Sequence, residues 1–163
     1  MKTNIVFRLS VLFIIFIIAF ILEIMPWPIE MQGVRPAWIV ILLVYWTLAL
    51  PQKINVGSAF ITGVVWDIIL GSVLGVHALV LSIAIYFVAK HHLILRNMSL
   101  WVQSILIMLY VALIRIMIFF IELLLHNAEF NSQELLGAVI SGLLWPWIFL
   151  LMRQIRQGLW LSE

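Results

Sequence analysis

Residues 56–89 read VGSAFITGVVWDIILGSVLGVHALVLSIAIYFVA, and this stretch decides the fold. Only two side chains, Asp67 and His77, interrupt its apolar character. At about 1.5 Å per helical residue, the stretch is roughly long enough to cross a hydrocarbon core of about 30 Å twice. The segment GSVLG at 71–75 supplies the turn. The sequence therefore predicts a hairpin of two short membrane helices.

The rest of the chain is equally apolar. Hydrophobic residues make up 66% of the 163 residues, charged residues 10%, and the mean hydropathy is +1.22, which lies outside the range of soluble domains. We expect one integral membrane domain over residues 1–163, with six transmembrane helices and no separate catalytic module. The predicted helices cover residues 5–25, 37–50, 56–70, 76–89, 100–125 and 135–152. The second helix is short for a membrane span. It must therefore use flanking residues to complete the span, thin the bilayer locally or be covered by neighbouring helices.

Cations are distributed unequally among the breaks between apolar stretches. Alternate breaks hold seven of the nine Lys and Arg residues, whereas the opposite breaks hold Arg35 alone beside Glu30, Glu129 and Glu134. The positive-inside rule then predicts that both termini are cytoplasmic. An all-α, multi-pass membrane protein of the inner-membrane type is the class expected. The seven cations are Lys2, Arg8, Lys53, Lys90, Arg96, Arg153 and Arg156.

Several functional classes are disfavoured by what the sequence lacks. The cations are scattered singly, so nucleic-acid binding is not expected. Cysteine is absent, and neighbouring His91 and His92 diverge by about 100° on a helix, so no metal site or cofactor is predicted. No phosphate-binding loop, nucleophile elbow or zinc-protease motif is found. An enzyme is therefore not expected.

A row of small residues marks one face of the third predicted helix. Ala59, Gly63, Asp67 and Gly71 recur every four residues, and Gly75 follows in the turn. Small side chains allow the backbone of another helix to approach closely. We predict that this row is a packing face or a partner face, and that Asp67 is shielded from lipid.

Asp67 and Arg115 lie at similar fractional depths in their helices. Our hypothesis is that they form an intramembrane ion pair, which offsets the cost of desolvation. Two alternatives are open: contact of either residue with a partner helix, and a proton or ion relay.

Two acids lie nearer the outer ends of their helices. Glu122 follows Arg115 by two helical turns, and Glu23 lies at a comparable level in the first helix. They are candidates for lining an outward-facing cavity, and solvated interfacial carboxylates are the alternative.

The sixth predicted helix also contains small residues at spacing of four. Gly137 with Ser141, and Ala138 with Gly142, form two adjacent pairs that favour close helix packing. Packing within the chain is one interpretation, and recognition of a partner transmembrane helix is the other.

Several segments, in order along the chain, resemble the MreD family of rod shape-determining membrane proteins. They are MPWP (25–28), RPAW (35–38), YWTLALP (45–51), NVG (55–57), DIILGSVLG (67–75) and LWPWIFLLMR (144–153). The resemblance implies a compact six-helix fold similar to the substrate-binding subunits of vitamin ECF transporters. It also implies a membrane scaffold that binds MreC, and through MreC reaches MreB, the glycosyltransferase RodA and its partner transpeptidase.

Two functions from different classes are therefore weighed. The first is a non-enzymatic adaptor of peptidoglycan elongation that controls cell shape, with MreC and membrane lipid as partners and self-association left open. The alternative is a transport subunit that binds a small, vitamin-like ligand in the cavity suggested by Glu23 and Glu122.

Overall fold

The computed structural model describes residues 2–126 and 128–160, and all regular structure within these ranges is helical. The helices, in chain order, are α1 (Lys2–Ile24), a 3-10 helix (Ile29–Val34), α2 (Trp38–Ala49), α3 (Val56–Leu70), α4 (Val76–Lys90), α5 (His92–Asn97), α6 (Leu100–Leu125) and α7 (Gln133–Trp160).

The six predicted segments are all helical, and the main difference concerns the last one. We predicted an end near residue 152, where the apolar run stops, but α7 continues to Trp160. Hydropathy reports where a helix leaves an apolar environment, whereas helical hydrogen bonding continues through good helix formers such as Arg and Gln. A contact also holds this extension, because Arg8 Nε on α1 donates a hydrogen bond to the Leu159 carbonyl at 3.0 Å.

Helix α2 is the centre of the molecule. It has 12 residues, and every side chain from Ile39 to Leu48 is buried. A helix that is apolar all round must be covered on all sides. Contacts with α1, α4, α5 and α7 provide that cover. Three ways to accommodate a short second helix were considered. The structure shows that neighbouring helices cover it.

Two antiparallel hairpins surround α2. Helices α3 and α4 pack along their length, as do α6 and α7, and α4 also contacts α6. Polar side chains link these helices: the Tyr110 hydroxyl on α6 donates to the Ala84 carbonyl on α4, and Trp145 Nε1 on α7 donates to Gln103 Oε1 at 3.0 Å. Helix α1 packs mainly on α2 and leaves most of its apolar side chains exposed.

The described part of the chain contains four segments that are long and apolar enough to cross a membrane. They are Ile5–Ile24, Ile29–Ala49, Leu100–Leu125 and Gln133–Leu159. Helices α3 and α4 are apolar but have only 15 residues each, or about 22 Å of helix. The chain is thus a helical membrane protein, and the number of crossings depends on how the α3–α4 hairpin sits in the bilayer.

Candidate functional site

The Asp67 carboxylate lies at the end of α3 and organises the turn into α4. Its Oδ1 accepts hydrogen bonds from the Ser72 hydroxyl at 3.0 Å and the His77 backbone N–H at 3.2 Å, and Oδ2 accepts from the Gly75 N–H at 2.8 Å. His77 Nδ1 lies 2.7 Å from Oδ1. Asp67 is only 1% exposed and His77 5%. A buried carboxylate must be satisfied in this way, because an unpaired charge in an apolar medium is costly.

The predicted ion pair between Asp67 and Arg115 is not formed. Among the described residues, Arg115 bonds instead to three backbone carbonyls: Nη1 donates to Glu134 at 2.6 Å and Gly33 at 3.3 Å, and Nη2 donates to Arg35 at 2.7 Å. Asp67 finds its partners in the turn after α3, and Arg115 finds its partners in other segments of the chain, so neither needs the other. Fractional depth along two helices was a poor guide to contact.

Sequence reasoning overlooked His77 as the partner of Asp67. We assigned this histidine no partner from the sequence. A usable signal was present, since the two residues are the only interruptions of the apolar hairpin and flank its turn closely. Antiparallel packing of α3 and α4 brings such residues together across the turn.

The small residues of α3 have two different roles. Ala59 and Gly63 are buried in the contact with α4, and a Cβ added to Gly63 would collide with the Ala78 backbone. Gly71 and Gly75 are not a packing face, because a Cβ there would meet no atom within 4 Å. They have positive φ angles of 64° and 105°, which glycine adopts readily, and they shape the turn around Asp67.

The small residues of α7 permit close approach of other parts of the chain. A Cβ on Gly137 would lie 2.6 Å from the carbonyl oxygens of Gly33 and Arg35. On the same helix, Gly142 lies against Met108 and Ser104 of α6. The Ser141 hydroxyl accepts a hydrogen bond from the Ala37 N–H at 2.9 Å. These positions therefore pack within the chain.

A cavity of about 460 Å³ opens at the same end of the bundle as the α3–α4 turn. The two acids that the sequence suggested for a cavity, Glu23 and Glu122, both contribute to its wall. Glu23 is 9% exposed, and its Oε2 has no hydrogen-bond partner in the described structure. The remaining polar wall comes from Arg115, Gln32, Arg35, Ser72, His77, Glu129, Asn131 and Glu134.

A second, smaller cavity of about 210 Å³ lies between α2, α4, α5, α6 and α7. Its wall is almost entirely apolar and includes Leu48, Phe87, Leu106 and Tyr110. The sequence offered no sign of this space, because apolar side chains from five helices have no shared pattern.

Hydrogen bonds within the chain hold Asp67, His77 and Arg115. Asp67 and His77 bond to each other and to the turn, and Arg115 bonds to backbone carbonyls. Within residues 2–126 and 128–160, no three His, Asp or Glu side chains gather closely enough to hold a metal ion.

The fold and its charged residues define a class: a helical integral membrane protein that holds Asp67 and Arg115 by hydrogen bonds to its own chain. The protein belongs to the MreD family, because the family model for rod shape-determining protein MreD matches residues 3–155. The rod shape-determining protein MreD of Haemophilus influenzae is 54% identical to it over 157 residues, which cover 96% of this chain and 97% of that protein. No solved structure matches. Membership of this family supports a role in the determination of rod shape.

Proposed function

We propose that this protein is a non-enzymatic scaffold of the cell-elongation machinery in the bacterial inner membrane. It binds MreC, acts through MreC on MreB, RodA and the partner transpeptidase of RodA, and so supports peptidoglycan synthesis. Membership of the MreD family supports this proposal. The proposal includes six membrane crossings with both termini in the cytoplasm.

The six-crossing topology is supported by the charge distribution along the helices. Lys53, Lys90 and Arg96 adjoin the ends of α3, α4 and α5 that lie away from the Asp67 turn, and Arg153 lies on the final part of α7. Cations at one end of a bundle favour its placement on the cytoplasmic side. Helices α3 and α4 are shorter than an average span, which local thinning of the bilayer can accommodate.

The observation that supports a scaffold rather than a catalyst is the way in which the protein uses its interior charged groups. Asp67 is buried and Arg115 is half-buried, and the protein uses both charged groups for its own turns and loops. What the molecule then offers to other proteins is the outer surface of its helices. Helix–helix contact in a membrane depends on such surfaces.

The partner surface on α3 must differ from the small-residue row. That row faces α4 within the chain. The opposite side of α3 carries the exposed side chains of Ile61 and Ile68, which are 65% and 63% exposed. A transmembrane helix of MreC would contact this opposite side if α3 contributes to the interface.

Two experiments test the scaffold. Affinity purification from the native membrane in mild detergent should recover MreC in near-stoichiometric amount, and depletion of the protein should turn rods into spheres. A photoreactive amino acid at Ile61 should crosslink to MreC, whereas one at Leu124, which is 86% exposed on α6, serves as the matched lipid-facing control. Persistence of rod shape after depletion, or purification without MreC, would count against the proposal.

A second candidate function is favoured by the cavity that contains Glu23. A transport subunit would bind a small, vitamin-like ligand there and associate with an ATPase module. The same purification separates the two functions, because recovery of an ATPase module and a bound small molecule in place of MreC would support transport.

A further inference from the structure

The wall of the large cavity is rich in carboxyl groups. Four carboxylates line it, at Glu23, Glu122, Glu129 and Glu134, against two guanidinium groups. Carboxyl groups therefore outnumber guanidinium groups in the wall by two. An acidic wall alone does not define a binding site, so the hydrogen bonds of the individual groups must be considered.

The two arginines of the wall are already occupied. Within the described ranges, the Arg115 guanidinium forms three hydrogen bonds, and all of them go to backbone carbonyls. Arg35 likewise donates through Nη1 to the carbonyls of Glu23 at 2.7 Å and Met25 at 3.4 Å, and through Nε to Gln32 at 3.3 Å. Among the described residues, neither guanidinium donates to a cavity carboxylate. The arginines thus brace the wall, and the Glu23 carboxylate keeps an unpaired Oε2.

Two buried polar groups of the wall have no partner within the described structure. Glu23 Oε2 and Trp66 Nε1 form no hydrogen bond, although the two residues are only 9% and 8% exposed. Leaving a buried acceptor or donor unpaired costs free energy that a suitable ligand can recover. A ligand that pairs with both groups needs a hydrogen-bond donor for Glu23 Oε2 and an acceptor for Trp66 Nε1.

The acids are not arranged for a metal ion. No three His, Asp or Glu side chains in the described ranges are close enough for shared coordination. Carboxylates spread over a wall suit a larger organic cation, which can donate several hydrogen bonds in different directions. The volume of about 460 Å³ also lies within the usual range of about 300–1,000 Å³ for small-molecule sites.

We propose that this cavity binds a small organic ligand that carries a primary ammonium group and a nearby acceptor oxygen. The ammonium group donates to the Glu23 carboxylate, with Glu122 adding negative charge, and the oxygen accepts from Trp66 Nε1. Two sources share this chemistry: the ethanolamine headgroup of a membrane lipid, and a water-soluble amine. The inference does not depend on the scaffold function.

Isothermal titration calorimetry on the full-length protein in detergent tests this site. The probes are ethanolamine and glycerophosphoethanolamine, and glycerophosphoglycerol is the anionic control that lacks an amine. We expect at least one amine probe to bind and the control not to bind. In E23Q, binding should be at least about tenfold weaker, as expected for loss of a charge-assisted hydrogen bond.

The matched control variant is E30Q. Glu30 belongs to the 3-10 helix near the cavity but is exposed and does not line it, so this variant should bind like the unmodified protein. If E23Q does not fold, as judged by circular dichroism, E122Q replaces it and should bind several-fold more weakly. Equal affinity in the cavity variant and in E30Q would overturn the proposal.

Native mass spectrometry of protein purified from membranes that contain phosphatidylethanolamine distinguishes the two sources. Retention of that lipid, lost in E23Q but kept in E30Q, together with binding of glycerophosphoethanolamine, identifies a headgroup. Binding of ethanolamine without retained lipid identifies a soluble amine. Failure of both amine probes, or equal binding of glycerophosphoglycerol, would overturn the site.

Discussion

Asp67 and Arg115 are both charged residues within apolar helices, yet the chain satisfies them in opposite ways. The partners of Asp67 are five to eleven residues further along the sequence, in the turn and first residues of α4. The partners of Arg115 include carbonyls that are 80 and 82 residues away. The acid therefore belongs to a local structure, whereas the arginine belongs to the closure of the whole bundle.

This difference shows how a membrane protein can stabilise two separate regions with few polar residues. The α3–α4 turn is formed by residues that are already neighbours in the chain. The region around Arg115 instead joins α6 to the loop before α2 and to the first turn of α7, so it can form only when those three segments meet. Variants at the two positions should affect different parts of the molecule.

The largest effect is expected for Asp67→Ala. The change leaves His77 and the backbone N–H of Gly75 buried without an acceptor, and we expect a loss of about 3–5 kcal/mol in the free energy of unfolding. Denaturant titration in detergent micelles, followed by tryptophan fluorescence, measures it. Asp67→Asn keeps one acceptor oxygen and should lose less. A loss below about 1 kcal/mol for the alanine variant would show that the carboxylate does not organise the turn.

A smaller and differently placed effect is expected for Arg115→Leu. Three backbone carbonyls lose their donor, but the neighbouring cavity admits water, which can replace part of the lost hydrogen bonding. We therefore expect a loss of about 2–3 kcal/mol in the free energy of unfolding. Hydrogen exchange should increase in the 3-10 helix and the first turn of α7. The α3–α4 turn should stay protected. Increased exchange in that turn would contradict the separation of the two regions.

Ser141→Ala tests another contact between residues that are far apart in the sequence, as the contacts of Arg115 are. The buried N–H of Ala37, which precedes α2, loses its acceptor, and we expect a loss of about 1–2 kcal/mol by denaturant titration. Ser132→Ala is the matched control, because this serine is exposed and its change should have almost no effect. Equal losses in the two variants would mean that the Ala37 contact does not anchor α2.

The smallest expected effect is the coupling free energy between Asp67 and Arg115. Because Asp67 and Arg115 do not contact each other, their effects should add to within about 0.5 kcal/mol in a double-mutant cycle of Asp67→Ala with Arg115→Leu. A coupling above about 1 kcal/mol would indicate that the two regions form one cooperative network.

Much of the helical layout could be read from hydropathy and turn residues. The bounds of α3 and α6 agree with the prediction, and Gly71 and Gly75 do mark the turn. The end of α7 was misplaced because an apolar run and a helix end for different reasons. The short helix α5 and the 3-10 helix were missed because neither has enough residues to show a periodic pattern.

The candidate site was less accessible to sequence reasoning. Glu23 and Glu122 were suggested as cavity residues, but the partners of Arg115 are main-chain carbonyls, and every residue type has one. Nothing in the side-chain pattern distinguishes the carbonyls of Gly33, Arg35 and Glu134 from any others. Trp66, whose indole N–H has no partner, likewise looked like an ordinary aromatic residue of an apolar helix.

The sequence by itself determined the membrane class, the position of most helices and the resemblance to the MreD family, because hydropathy, turn chemistry and ordered motifs are local properties of the chain. Tertiary structure alone decided that α2 is the covered centre, that Asp67 bonds to His77, and that Arg115 closes the bundle through carbonyls. These outcomes depend on which distant backbone segments meet, and that meeting follows from the packing of all the helices together.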